Sequence, residues 1–137
     1  MDRPQRRYFT VQEARQLVPR LRGLLTALQA EKRELDRELA ELRRLAPLAF
    51  LNGHGARFQT HEMRVAELAR AIREKVRQIH DLGVEVKDLE MGLVDFPSLR
   101  DGREVYLCWK VDEPTVAFWH ELDAGFRGRQ PLEDEDR

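Results

Sequence analysis

Asp95, Cys108 and His120 are the residues of this chain whose types could do chemistry together. A carboxylate, a thiol and an imidazole can hold a zinc ion. They can also turn the thiol into a nucleophile, provided its pKa is lowered so that the thiolate forms. All three fall within residues 92–128, the stretch that also holds both tryptophans and half of the eight glycines. An antiparallel sheet would bring positions 95, 108 and 120 side by side.

The pair Asp101-Gly102 lies between two alternating runs, a strong hairpin signal, because both central residues of that turn need positive φ. A two-residue turn there sets Val94 against Trp109, Phe96 against Leu107 and Asp95 against Cys108. A second reversal at Asp112-Glu113-Pro114, with Val111 opposite Thr115, sets Cys108 against Phe118 and predicts a further strand over 115–120. Side chains alternate across a strand. One face then collects Val94, Phe96, Val105, Leu107, Trp109, Ala117 and Trp119, and should pack on the helices. The other collects Leu93, Asp95, Tyr106, Cys108, Lys110, Val116, Phe118 and His120. On that mixed face the acid, thiol and imidazole become near neighbours. Pro97 within its strand predicts an edge or a bulge, and residues 84–87 read as a short strand ahead of the hairpin.

The tail from Glu121 reads as irregular. Arg127 and Arg129 sit among glycines around Phe126. They suit a clasp laid over the mixed face, pairing an acid such as Asp95 or Asp123, or else presentation to an anion. The end, 133–137, is acidic and reads as disordered.

The elements that must carry this sheet come first in the chain. Thr10 and Glu13 match a capping box, with Phe9 just ahead, so a helix should start there. Pro19 predicts a kink or break. Beyond it Leu21, Leu28, Leu35 and Leu42 recur every seven residues, with Leu24 and Leu45 in a companion row, Leu25 and Leu39 widening the stripe, and Glu31 and Glu38 interrupting it. The seam ends near Pro47, and 52–55 is a loop by composition. A second helix reads from about Phe58 to Leu82 with stripe residues Val65, Leu68, Ile72, Val76 and Ile79, stopped by Gly83. A short loop between two such helices predicts an antiparallel hairpin. Two helices cannot shield both stripes, so a homodimer with a four-helix core is expected. His54, His61 and His80 read as surface or interface residues.

The whole is therefore expected to be one α+β domain over 1–137: a long, coiled-coil-like antiparallel helical hairpin (10–82), a small antiparallel β meander (84–120) and a tail (121–137). Charged residues make up 36% of the 137, more than the roughly 25% usual for a globule. Residues 1–82 carry 17 basic and 11 acidic groups, and residues 83–137 carry 7 and 14. The excess is interleaved with opposite charge and lacks an aromatic stacking platform, which argues against nucleic acid as the partner. No apolar run approaches the roughly 20 residues that cross a bilayer. The basic N-terminus has no apolar segment behind it, so no secretory signal is read. A lone cysteine suits a reducing cytoplasm.

Several motifs resemble one family. Gly83-Val84-Glu85-Val86-Lys87-Asp88, then Gly92-Leu93-Val94-Asp95-Phe96-Pro97, Gly102-Arg103, Leu107-Cys108-Trp109, Trp119-His120 and Gly125-Phe126-x-Gly128-Arg129-x-Pro131 are similar to a bacterial domain of unknown function, family 2203. The Phe9-Thr10-x-x-Glu13-Ala14 start and Pro19 match its opening. The resemblance implies a small soluble bacterial protein and brings no activity, substrate or cofactor. Lys87, Asp88, Arg103, Arg127 and Arg129 are the candidates for holding a ligand or partner.

Three functions compete. The expected one is a non-enzymatic dimeric interaction or scaffold module, since no CxxC, HExxH, phosphate loop or GxSxG is present. It calls for no metal or cofactor. The alternative is a small metal-dependent or thiol enzyme built on Asp95, Cys108 and His120. Nucleic-acid binding by the basic half comes third and predicts salt-dependent affinity.

Overall fold

The computed structural model describes residues 7–51 and 53–133. The expectations for the basic N-terminus up to residue 6 and for the acidic end beyond Glu133 lie outside the described residues.

Thr10 opens the first helix, α1 (Val11–Leu45), through a complete capping box. Its hydroxyl accepts from the Glu13 amide at 3.1 Å, and its own amide donates to Glu13 Oε1 at 2.8 Å. The helix runs through Pro19 without a break, contrary to the expectation. Proline removes one helical hydrogen bond, yet Val18 and Leu21 on either side of it are buried in the core. That anchorage on both flanks holds the axis together.

A short 3-10 turn, Ala46–Leu48, leads to α2 (Gly55–Asp81), which starts earlier than the stripe suggested. The two helices pair as a hairpin. The two glutamates that interrupt the seam meet basic side chains of α2, Glu31 receiving Lys75 at 2.8 Å and Glu38 facing His61, and beside them Glu34 receives Arg64 at 2.6 Å. The polar breaks are thus cross-helix polar contacts. His61 is an interface residue, as read.

Five antiparallel strands follow in simple meander order: β1 (Glu85–Asp88), β2 (Leu93–Arg100), β3 (Arg103–Lys110), β4 (Phe118–Glu121) and β5 (Gln130–Pro131). Asp101 and Gly102 have φ of 53° and 77°, the conformation the two-residue turn demands. The β2–β3 register pairs Asp95 with Cys108, Val94 with Trp109 and Phe96 with Leu107, as the turn predicts. Phe118 pairs with Cys108 across β3–β4. In an antiparallel strand a residue's N–H and C=O point to the same edge. The Pro97 carbonyl accepts from the Phe9 amide at 2.7 Å. The amide that proline lacks therefore faces away from β3, and no ladder bond is lost.

Two expectations of the sheet half are corrected. Residues 115–117 are not strand. Arg22 takes the carbonyls of Val111, Glu113 (3.1 Å) and Pro114 (3.5 Å), and Arg15 takes that of Val116 at 2.9 Å. With its backbone turned toward α1, Val116 sits in the helix-facing core instead of on the mixed face. The tail is also ordered further than read. It forms a 3-10 turn, Phe126–Gly128, and then β5, which extends the sheet beside β4.

The core lies between the inner sheet face and the first half of α1. Ala14, Val18, Leu21, Leu25 and Leu28 from the helix meet Val94, Phe96, Leu107 and Trp109, which is fully buried. Ile79 of α2 and Val84 close one end.

Candidate functional site

The outer sheet face is built in rows by the register. Glu85, Asp95, Cys108, Phe118 and Pro131 lie side by side across the five strands. Tyr106 and His120 form the next row. His120 stands on β4 and Asp95 on β2, two strand spacings across and two residues along, or roughly 12 Å apart in backbone. The imidazole crosses over β3, between Tyr106 and Cys108, and its Nε2 lies 3.0 Å from Asp95 Oδ2. Its Nδ1 lies 2.7 Å from the Glu121 carbonyl oxygen.

That carbonyl can only accept, so Nδ1 carries a proton. One further proton then lies between Nε2 and the carboxylate. Burial pushes the Asp95 carboxyl above its usual range, against the pull of His120. Asp95 Oδ1 is buried and has no hydrogen-bond partner among the described residues. Donor atoms of Asp95, Cys108 and His120 all lie within 4.8 Å of one another, and all three residues are buried. The three sequence candidates are therefore brought together.

The thiol is the least reactive member. Burial first, and then the charge of Asp95, push it up to about 12, although Arg129 pulls the other way. A nucleophilic cysteine needs the opposite shift.

Two long side chains flank the cluster. The Tyr106 ring lies against His120 at 5.5 Å between centroids, and its hydroxyl reaches the Glu85 carboxylate at 3.1 Å. Lys87, displaced by a register shift in β1, pairs with Glu85 at 2.9 Å and lies over the Tyr106 ring. On the other side the Arg129 guanidinium stacks on Phe118 at 3.9 Å and comes within 3.9 Å of Cys108 Sγ. It makes a two-pronged pair with Glu113 at 3.0 and 2.7 Å. The tail is thus a clasp, as expected, but its acid is Glu113 and not Asp95 or Asp123. Burial raises the Glu113 carboxyl, but Arg129 and the Lys110 amide outweigh it and hold the group below its ordinary value.

The other charged candidates do not converge here. Asp88 Oδ1 accepts from the Met91 amide at 3.1 Å and shapes the turn into β2. Arg103 pairs with Glu121 at 2.7 Å at the far end of the sheet. Arg127 is exposed on the tail's 3-10 turn. Sequence reasoning missed Glu85 and Glu113. The pairing of Glu85 with Asp95 was open to a register argument, had β1 been aligned with β2. Glu113 gave no local sign, because its partner lies 16 residues away and beyond β4.

A cleft of about 460 Å³ opens elsewhere, between the start of α1 and the β2–β3 hairpin. Thr10, Ser98, Arg100, Asp101 and Trp119 line it. The Ser98 hydroxyl is committed to the Phe9 carbonyl at 2.6 Å. No helix among the described residues is long and apolar enough to cross a membrane.

A family model described as an uncharacterized conserved protein (DUF2203) matches residues 7–132. No curated protein and no solved structure matches the chain.

Proposed function

We propose that this chain, which belongs to the DUF2203 family of uncharacterized conserved proteins, is a non-enzymatic interaction module that pairs with a second copy of itself through its helical hairpin. The carrying observation is that the apolar stripe of α1 outruns the sheet. Ala14, Val18, Leu21, Leu25 and Leu28 are buried beneath the strands, whereas Leu35, Leu39 and Leu42 are only half-buried before Leu45 is buried again. At the far end Phe50 is 99% exposed and Met63 66% exposed. Leu45 and Leu68 are buried within the arm itself, so the open apolar surface is that of Leu35, Leu39 and Leu42 and of the arm's end, and a second arm laid against it would make a four-helix, coiled-coil-like core. Residues 29–45 hold five basic and five acidic groups, so two copies of this segment meet without net repulsion.

The catalytic alternative has less support. The acid, thiol and imidazole are buried, and the thiol is held protonated at neutral pH. The cleft of about 460 Å³ lies beside the helix start and is lined by none of these three residues. The nucleic-acid reading has less support again, because cations of the hairpin are engaged by neighbouring acids: Lys75 by Glu31, Arg64 by Glu34 and Glu67, Arg77 by Glu74.

Light scattering across a concentration series tests the proposal. The expected mass is twice the 16.1 kDa of one chain. Replacing Phe50 and Met63 with glutamate should shift the equilibrium toward monomer with the helical circular dichroism unchanged. A folded protein that stays monomeric at every concentration overturns the proposal.

A further inference from the structure

We infer that Asp95, Cys108 and His120 form a binding site for one thiophilic divalent transition-metal ion of the zinc class. The inference stands apart from self-association, because none of the three residues lies on the helical hairpin. Three neighbouring strands each supply one donor, and the donor atoms lie within 4.8 Å of one another. Tetrahedral zinc, with bonds of about 2.0–2.3 Å, places its ligands about 3.5 Å apart. Closing the widest donor separation of 4.8 Å to that spacing takes a movement of about 1 Å.

Three further features point to a cation. Asp95 Oδ1 is buried with no hydrogen-bond partner among the described residues. The neighbouring Cys108 thiol, a weak donor, acts on this carboxyl, and a metal ion would satisfy the oxygen more fully. His120 Nδ1 faces the Glu121 carbonyl at 2.7 Å. This fixes the tautomer and turns Nε2 inward as the ligand atom, as the outer hydrogen bond of a metal-bound histidine does. The charges also balance. A carboxylate, a thiolate and a neutral imidazole cancel a divalent cation, so the filled site is neutral in its buried setting. On binding, the ion displaces two protons, one from the thiol and one from between Asp95 and His120. A thiolate and an imidazole select zinc or cobalt over magnesium or calcium. The three protein donors leave a fourth position for water.

Cobalt(II) titration of the chelator-treated full chain tests the site. One equivalent should give the sulfur-to-cobalt charge-transfer band and the intense visible bands of tetrahedral cobalt, both removed by one equivalent of zinc. C108S should lose the charge-transfer band, and D95N should bind at least roughly 100-fold more weakly. His61→Gln, on the hairpin, should titrate like the parent. Absence of the charge-transfer band in the folded parent overturns the inference without needing any variant. Undiminished binding by both C108S and D95N overturns it equally. Neither result bears on the mass measured by light scattering.

Discussion

At the residue scale the outer face is governed by what each polar group is allowed to face. His120 lies between two acceptors, the Glu121 carbonyl and Asp95, and this fixes its tautomer and aligns it. Cys108 lies under Arg129 with no exposed surface. In the metal-free folded chain a disulfide reagent should leave Cys108 unmodified near neutral pH, and modification should appear only with denaturant. Rapid labelling of the native protein would contradict this burial. The Arg129–Glu113 pair is 12% and 16% exposed, so truncating one partner strands the other in a poorly solvated place. Glu113→Gln should cost about 1–3 kcal/mol at neutral pH. The folded pKa of Glu113 lies below its unfolded value. Its contribution is therefore complete above about pH 4.3 and is lost as pH falls through the folded value. Denaturation curves of parent and variant should converge in acid and stay apart at neutral pH. The pairing of Asp95 with Cys108 was legible from the Asp101-Gly102 turn alone, because a two-residue loop leaves the register no freedom. The partner of Arg129 was not, since nothing in the local sequence distinguishes Glu113 from any other turn acid.

At the element scale, three features can be probed. Gly92 has φ +65°, and a Cβ there would lie 2.5 Å from Val111 Cγ1. Its carbonyl also receives the Val111 amide at 3.0 Å. Gly92→Ala should therefore destabilise by about 2–4 kcal/mol through strain and overlap together, read as a fall in the denaturation midpoint. Pro19 sits inside a continuous helix. Pro19→Ala restores an amide donor for the Arg15 carbonyl and should stabilise by about 1–2 kcal/mol. A loss of stability would mean that the proline shapes the helix for its contact with the sheet. In the seam, Glu31 and Lys75 are about a quarter exposed, and Glu31 Oε1 is buried without a partner among the described residues. Lys75→Met alone should destabilise, whereas Glu31→Leu with Lys75→Met should recover the loss or exceed it. A double-mutant cycle reads the difference directly.

At the scale of the whole molecule, a helical hairpin carries a five-stranded meander on the first half of its longer helix. The second half is left to pair with α2 and, in the proposed dimer, with a second arm. If so, the melting temperature should rise with protein concentration, and the Phe50 and Met63 variants should lose that dependence. The sequence by itself determined what short-range rules decide. The capping box fixed where α1 begins. The turn with two positive φ values fixed the β2–β3 register, and alternation then fixed which residues face the helices. Only the tertiary structure decided what depends on segments distant in the chain. Packing of Val18 and Leu21 keeps α1 whole across a proline. Arg15 and Arg22 turn residues 111–116 toward the helix and draw Val116 inward. The tail finds an open strand edge and becomes β5. Burial holds the thiol in its protonated form. Each of these is set by which surfaces meet, and meeting surfaces leave no periodic trace in either segment alone.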